Sequence, residues 1–270
     1  MKRFVVLDKK VGETPLSAIH AWRIKNLEYK NVSASYAGRL DPMASGKLLI
    51  LLGDECKRQR EYTNLDKEYE IEVLLDIGSD TGDVLGIPEY SSQTTTPDER
   101  VTVNTLRDEL GEHLREYPKF SSKTVNGKPL FLYALEGKLK DIEIPKHFER
   151  IFKIKLINLY MISCKELAGR ISRLLDYVQR TDEPSKRMGE DFRVDSILEK
   201  WEQLFESSHE RNFTVIRLKV ICGSGTYMRS LAGRIGKSLR TEALTLSIRR
   251  TKIGKYVSLW NGFGFWFNTY

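Results

Sequence analysis

Cysteine and histidine are scarce in this chain, with three of the former and four of the latter among 270 residues. Cys56, Cys164 and Cys222 lie far apart, with no C-x-x-C spacing and no nearby pair of histidines. That pattern excludes a disulfide framework and a structural zinc site, and it suits a reducing, cytoplasmic setting. Long apolar runs are missing as well. The opening M-K-R-F-V-V-L-D-K-K returns to charge after a few apolar residues, so neither a signal peptide nor a membrane anchor is expected. The acidic stretch with Asp76, Asp80 and Asp83 lacks the EF-hand spacing and its terminal glutamate, which removes a calcium loop.

Positive charge is in surplus. Forty-four Lys and Arg against 37 Asp and Glu give a net charge of +7. That balance favours a polyanionic partner, because cations set against phosphates gain by counterion release. The length suffices for a substantial core without covalent staples.

Ser35 to Lys57 reads S-Y-A-G-R-L-D-P-M-A-S-G-K-L-L-I-L-L-G-D-E-C-K. Gly38 and Gly46 supply backbone freedom, Pro42 keeps Asp41 out of helical geometry, and the apolar run Leu48 to Leu52 follows as a buried strand or helix start. A carboxylate on a stiff turn beside a buried element is what a catalytic acid, base or nucleophile requires, although Asp-Pro also starts ordinary loops.

Around this stretch, residues 3–8 read as a short buried strand. Leu16, Ile19, Trp22, Ile24 and Leu27 fall at helical spacing, and Tyr69, Ile71 and Val73 alternate as in a strand. D-I-G-S-D-T-G-D, from Asp76, reads as an exposed, turn-rich loop. Residues 91–105 form a polar linker with a helix start near Thr102, and Val103 to Leu114 is expected to be helical. Asn126-Gly127 signals a tight turn within a lysine-bearing segment, Lys119, Lys123 and Lys128. Ile151 to Ser163 and Phe213 to Val220 read as strands. Between about 164 and 212, Ile171, Leu174, Leu175 and Val178, then Ile197, Leu198, Trp201, Leu204 and Phe205, mark two amphipathic helices. Gly223 and Gly225 allow a turn into a further helix that Thr226 can cap, with Arg229 on its first turn. The aromatic tail W-N-G-F-G-F-W-F-N-T-Y is expected to close the core rather than stack on nucleotides.

The core G-R-L-D-P-M-A-S-G, the spacing Gly53-x-x-x-Lys57, and the later segments Lys67-x-Tyr69, Pro118-Lys119-Phe120-Ser121-Ser122-Lys123, G-T-Y-M-R-S-L-A and Leu246 to Gly254 together resemble the TruB family of pseudouridine synthases. The resemblance covers nearly the whole chain. It implies an α+β fold with a mixed, bent sheet, flanking helices and a central cleft. Residues 1–256 would be the catalytic domain, with a helical insertion at about 164–212 and a short aromatic tail at 257–270 that leaves no room for the C-terminal PUA domain of many members.

By the same resemblance Asp41 falls on the catalytic aspartate, acting as nucleophile or base. Tyr69 falls on the tyrosine that stacks on the target base, and Arg229 on the arginine that pairs with both Asp41 and Asp83. Ile248 takes the place of a leucine lining the base pocket. Lys9, Tyr36 and Lys123 are candidate substrate contacts. Lys9 and Gly12 keep the opening motif, although Lys10 stands where the family has proline and Pro15 where it has serine. Tyr36 stands where bacterial members carry histidine. The implied reaction isomerises uridine in the T-loop of tRNA, with neither metal nor redox cofactor, in a monomer with no implied protein partner and no membrane. The alternatives are a non-catalytic RNA-binding or tRNA-folding module, or the same chemistry on another RNA.

Overall fold

The computed structural model describes residues 2–90, 94–179, 193–259 and 263–270. Its first strand, β1 (Phe4–Lys9), leads through helix α1 (Pro15–Lys25) to β2 (Ala34–Ala37) and β3 (Ala44–Leu52). A short α2 (Gln59–Thr63) precedes β4 (Asp66–Leu75), followed by the small pair β5 (Ile77–Ser79) and β6 (Pro88–Tyr90). Then come α3 (Glu99–Arg107), β7 (Gly111–Glu116), the two-residue strands β8 (Thr124–Val125) and β9 (Lys128–Pro129), and α4 (Leu130–Leu135). The second half holds β10 (Lys146–Ser163), α5 (Cys164–Gln179), α6 (Val194–Ser207), β11 (Asn212–Cys222), α7 (Met228–Ser238), β12 (Ala243–Ser258) and β13 (Gly264–Phe267).

One nine-stranded sheet organises these elements, in the order β1-β3-β12-β4-β11-β10-β7, with β2 added on β3 and β13 on β12. All its pairs are antiparallel except β3 with β12, so the sheet is mixed and the class is α+β, as expected. The run Leu48 to Leu52 is a strand because both of its faces are buried, a setting that favours continuous apolar sequence over alternation. Leu48, Ile50 and Leu52 point into the main core, while Leu49 and Leu51 join a second cluster with Ala37, Tyr62, Leu65 and Ile253. Breaks in register at Thr245/Ser247 and Arg250/Lys252 bend β12 on either side of Ile248 and Arg250.

Helix α1 starts as its sequence directs. Thr14 caps it, exchanging bonds with Ser17, and Pro15 occupies the first turn. Its apolar face differs from the expectation: Ile19 is buried and Trp22 packs on Tyr29, but Leu16, Ile24 and Leu27 are exposed. At about 100° per residue Trp22 and Ile24 lie roughly 160° apart around the axis, so one side of the helix cannot bury both.

The segment from Asp76 is also not an exposed loop. Ile77–Ser79 pairs with β6, and Asp76, Ile77, Thr81, Asp83 and Val84 are buried. Asp76 accepts the Thr95 N–H and the Thr241 hydroxyl, so its charge is satisfied from distant parts of the chain. Helix α3 begins earlier than expected, capped by Asp98. It ends at Arg107; Gly111, at φ +94°, breaks it, and the rest of the expected helix is strand β7.

Asn126 and Gly127 both have positive φ and form the tight turn joining β8 to β9. Helices α5 and α6 are where the amphipathic pattern placed them, burying Ile171, Leu175, Ile197, Trp201 and Leu204. They pack on the body, where the Trp201 indole donates to the Val84 carbonyl at 3.1 Å. The side chain of Val178 and the connector at 180–192 lie outside the described residues.

Candidate active site

Asp41 is carried by the turn between β2 and β3, and that turn is clamped from two sides. On one side the Pro42 carbonyl accepts the Gly12 N–H at 2.9 Å and the Lys9 ammonium at 3.4 Å. On the other, the fully buried Arg250 donates to the carbonyls of Lys47 (2.7 Å), Gly38 (3.1 Å) and Arg39 (3.5 Å). The clamp depends on Gly46, which has φ +101° where β3 meets β12: a Cβ there would stand 2.2 Å from the Arg250 carbonyl oxygen. The rigidity expected from Gly38 and Pro42 is thus completed by strands distant in sequence.

Arg229 reaches the same place from the first turn of α7. Its Nε lies 3.0 Å from Asp41 Oδ2 and 3.5 Å from Asp83 Oδ2, so one guanidinium joins the two carboxylates. Its remaining nitrogens donate to the carbonyls of Thr81 (2.8 Å) and Phe120 (3.2 Å). Asp83 in turn accepts the Thr81 hydroxyl at 2.8 Å and the Leu85 N–H at 3.0 Å. Gly82, at φ +77°, lets this loop press against the helix; a Cβ on it would be 3.1 Å from the Arg229 carbonyl oxygen. Tyr227, not Thr226, is the residue before α7, and no side chain caps it. The Thr226 hydroxyl instead donates to the Gly223 carbonyl within the preceding turn.

The three charges differ in access. The Asp41 side chain is 37% exposed, against 8% for Arg229 and 5% for Asp83. Burial pushes the Asp83 pKa up, with Arg229 and the Thr81 hydroxyl pulling the other way. Burial works against the Arg229 charge, yet Asp41 and Asp83 raise its pKa above the ordinary arginine value. A buried arginine with its donors spent on two carboxylates and two carbonyls is a fixed strut, and the carboxylate it holds toward solvent is the one free to meet a substrate.

Asp41, Asp83 and Arg229 line a cleft of about 1100 Å³ together with Tyr36, Tyr69 and Ile248. Tyr69 on β4 sits opposite Arg250 on β12, and Ile248 lies two residues along, opposite Ile71. Both are buried. Burial raises the Tyr69 pKa, against the pull of Arg250. Tyr36 is half-buried on β2.

Lys9 and Lys123 stand apart from the cleft lining. Lys9 is 1% exposed and donates to the carbonyls of Lys10, Glu13 and Pro42, so it ties the opening turn to the Asp41 turn rather than facing a ligand. Burial lowers its pKa to about 8. Lys123 lies over the Tyr117 ring at 5.0 Å. Sequence reasoning missed Arg250, which looks like one more cation of a basic run, and Lys67, which lines the cleft, donates to the Thr63 and Leu65 carbonyls and has its pKa lowered by burial to about 8. It also missed Phe120, whose signal lay in the segment already singled out around Lys119 and Lys123.

A carboxylate braced by a buried arginine in a cleft beside a mixed sheet defines the class of site, and comparison with known proteins gives the family. The model for "TruB family pseudouridylate synthase (N terminal domain)" matches residues 25–172, just over half of the sequence. The chain belongs to the TruB family, whose members isomerise uridine. It is 27% identical over 256 residues to a protein of Caldicellulosiruptor saccharolyticus named tRNA pseudouridine synthase B, covering 95% of this chain and 69% of that one. A protein of the same name from Blochmanniella floridana is 28% identical over 254 residues, covering 94% and 77%. Among solved structures, a crystal structure of a Cbf5-Nop10-Gar1 complex matches with a TM-score of 0.53 at 18% identity, a likeness of fold. This chain spans about half (48%) of the length of that solved chain.

Proposed function

We propose that this chain converts uridine to pseudouridine in the T-loop of tRNA. The observation that carries the reading is the Arg229 guanidinium, buried and bonded to Asp41 at the surface of a cleft large enough for an extruded nucleotide. Its family and the tRNA pseudouridine synthases among its relatives support the reaction and the RNA class.

The uridine turns out of its stack into the cleft, where the base lies against Tyr69 and Ile248, an aromatic and an apolar wall that exclude water. Asp41 acts at the sugar as the C1′–N1 bond breaks. The uracil rotates, C1′ bonds to C5, the C5 proton leaves and N1 gains one, so the net change is an isomerisation. Tyr69 stacks on the base and relays the C5 proton; burial of its hydroxyl disfavours the phenolate and raises its pKa. Arg229 keeps Asp41 aimed, and Asp83 holds Arg229. Lys9 and Arg250 act through the backbone of the Asp41 turn as positioning residues. Tyr36 borders the entering nucleotide, and Lys123 offers a cation to the RNA outside the cleft.

In this reading residues 1–256 form the catalytic unit, with α5 and α6 as an addition to it. One copy supplies every group named, so a monomer working in the cytoplasm suffices. Among the described residues no helix is long and apolar enough to cross a membrane. The test is pseudouridine formation in a T-stem-loop transcript by wild type and by Asp41→Asn, with RNA binding followed in parallel. Modification by wild type alone, with binding by both, is expected. Binding by both with modification by neither, on the loop and on full tRNA, overturns the reading in favour of an RNA-binding module.

A further inference from the structure

After Glu242 the sequence contains no Asp or Glu, yet it carries Arg249, Arg250, Lys252 and Lys255 and ends in the aromatic tail. Strand β13 lies antiparallel on β12, with Phe267 opposite Lys255 and Phe265 opposite Val257. Beyond them the Leu259 N–H donates to the Phe263 carbonyl at 2.7 Å. The two-residue period divides this ribbon into two faces. One is filled: Tyr256 packs on Trp266 at 5.3 Å and on Phe152 at 5.5 Å. On the other, Phe263, Phe265 and Phe267 are 72%, 51% and 57% exposed, beside exposed Val257 and Leu259. The tail therefore closes the core with Trp266, packed on Tyr256, and with Tyr270, but leaves its phenylalanines in water, contrary to the sequence expectation. A contiguous apolar patch of this kind marks an interaction surface.

We infer that this face is a stacking platform for unpaired nucleotides of the RNA substrate; the inference rests on the function proposed above. Rings two residues apart on one strand are about 7 Å apart, a spacing that lets successive bases of an extended strand each meet a ring. Lys255 is exposed within the same row, and among the described residues it forms no ion pair, leaving its ammonium for a phosphate. The row also joins the cleft. Ile253, two residues before Lys255 and so on the same face, is the register partner of Lys67 in the cleft wall. The Lys255 charge is close enough to contribute to the lowered pKa of Lys67. Charge selects the occupant: Arg249 and Lys252 are ion-paired with Asp8 and Glu68 and Arg250 is buried, so Lys255 is the cation left beside the rings, and its ammonium complements a phosphate, whereas a second copy would set it against another ammonium.

The platform is tested on the full chain with a labelled single-stranded oligoadenylate of twelve nucleotides, which offers no uridine, and with a T-stem-loop bearing or lacking a single-stranded extension. Phe265→Ser is expected to weaken oligoadenylate binding about tenfold or more, and Phe263→Ser with Phe267→Ser further, while Phe265→Trp retains it. Modification of the bare stem-loop stays at the wild-type rate in each variant, which also reports correct folding, and the advantage of the extended substrate disappears. Unchanged affinity in the serine variants, or a wild-type chain that modifies the loop but ignores oligoadenylate, overturns the platform and leaves the enzyme reading standing. A chain that binds oligoadenylate through these rings but modifies no RNA retains the platform and overturns the enzyme. Loss of a dimer in the serine variants, seen by sedimentation, with RNA affinity unaltered, assigns the face to self-association and also overturns the inference.

Discussion

Arg229 has two dependants of different character, and the difference sets what each substitution does. Asp41 is partly solvated, so Asp41→Asn exchanges one polar group for another of equal shape and leaves the strut in place. Its expected result is loss of turnover by about a thousandfold or more, with the unfolding midpoint and RNA affinity close to wild type, checked by single-turnover kinetics and denaturant melts. Asp83 has no such access to water. Arg229→Ala leaves it buried without its cation, and the expected outcome is loss of activity together with roughly 3–5 kcal/mol of stability, read from urea unfolding.

Lys9 offers a pH signature. Its folded pKa of about 8 lies below the ordinary 10.5, so folding opposes its charge. That cost is fully present below pH 8 and is relieved as pH rises toward 10.5, because there the unfolded chain still holds a proton that the folded chain has released. Relative to Lys9→Met, wild type should therefore gain stability between pH 7 and 11, on the order of 3 kcal/mol, in paired melts across that range.

At the scale of elements, the site depends on how closely β3 approaches β12. Gly46→Ala would place a methyl group 2.2 Å from the Arg250 carbonyl and must separate the two strands or strain them. The expected effect is a loss of about 2–4 kcal/mol, with turnover falling further because the carbonyls of Gly38 and Arg39 lose the Arg250 clamp; thermal melts and kinetics on the same preparation check it. Helices α5 and α6 show the opposite dependence. Trp201→Ala removes the largest buried side chain of α6 and its bond to Val84, with an expected cost of about 3–5 kcal/mol in unfolding, and residual activity at low temperature should follow the folded fraction. The amphipathic pattern disclosed these helices because it is local. It did not disclose that Asp76 and Asp83 are buried, because their partners, Thr95, Thr241 and Arg229, lie far along the chain or arrive with another element.

For the molecule as a whole, a net charge of +7 predicts RNA affinity that falls as salt rises. The slope of log affinity against log salt should be shallower for Lys255→Gln than for wild type with an extended stem-loop, and alike for the two proteins with a bare one. The composition gave the sign of the partner. Much of the sheet's exposed charge is already paired, as in Arg217 with Glu70 and Lys219 with Glu68 and Glu70, so a count of lysines does not locate the RNA.

The sequence by itself determined several of the strands, the amphipathic helices α5 and α6 and the β8–β9 turn, and it singled out Asp41, because apolar periodicity, the Asp-Pro turn and the Asn-Gly turn each act over a few residues. Tertiary structure alone decided the rest. In the sequence Lys9 is a candidate substrate contact, and Lys67 and Arg250 stand in the quoted motifs with no role of their own; all three are buried on backbone carbonyls, since a carbonyl's position is invisible in the side-chain code. The phenylalanines of the tail read as core and stand in water, because Tyr256 and Trp266 occupy the one face of the β12–β13 ribbon that the body covers. Whether a charge is buried or a ring exposed depends on which distant segment arrives opposite it, and only the assembled sheet specifies that.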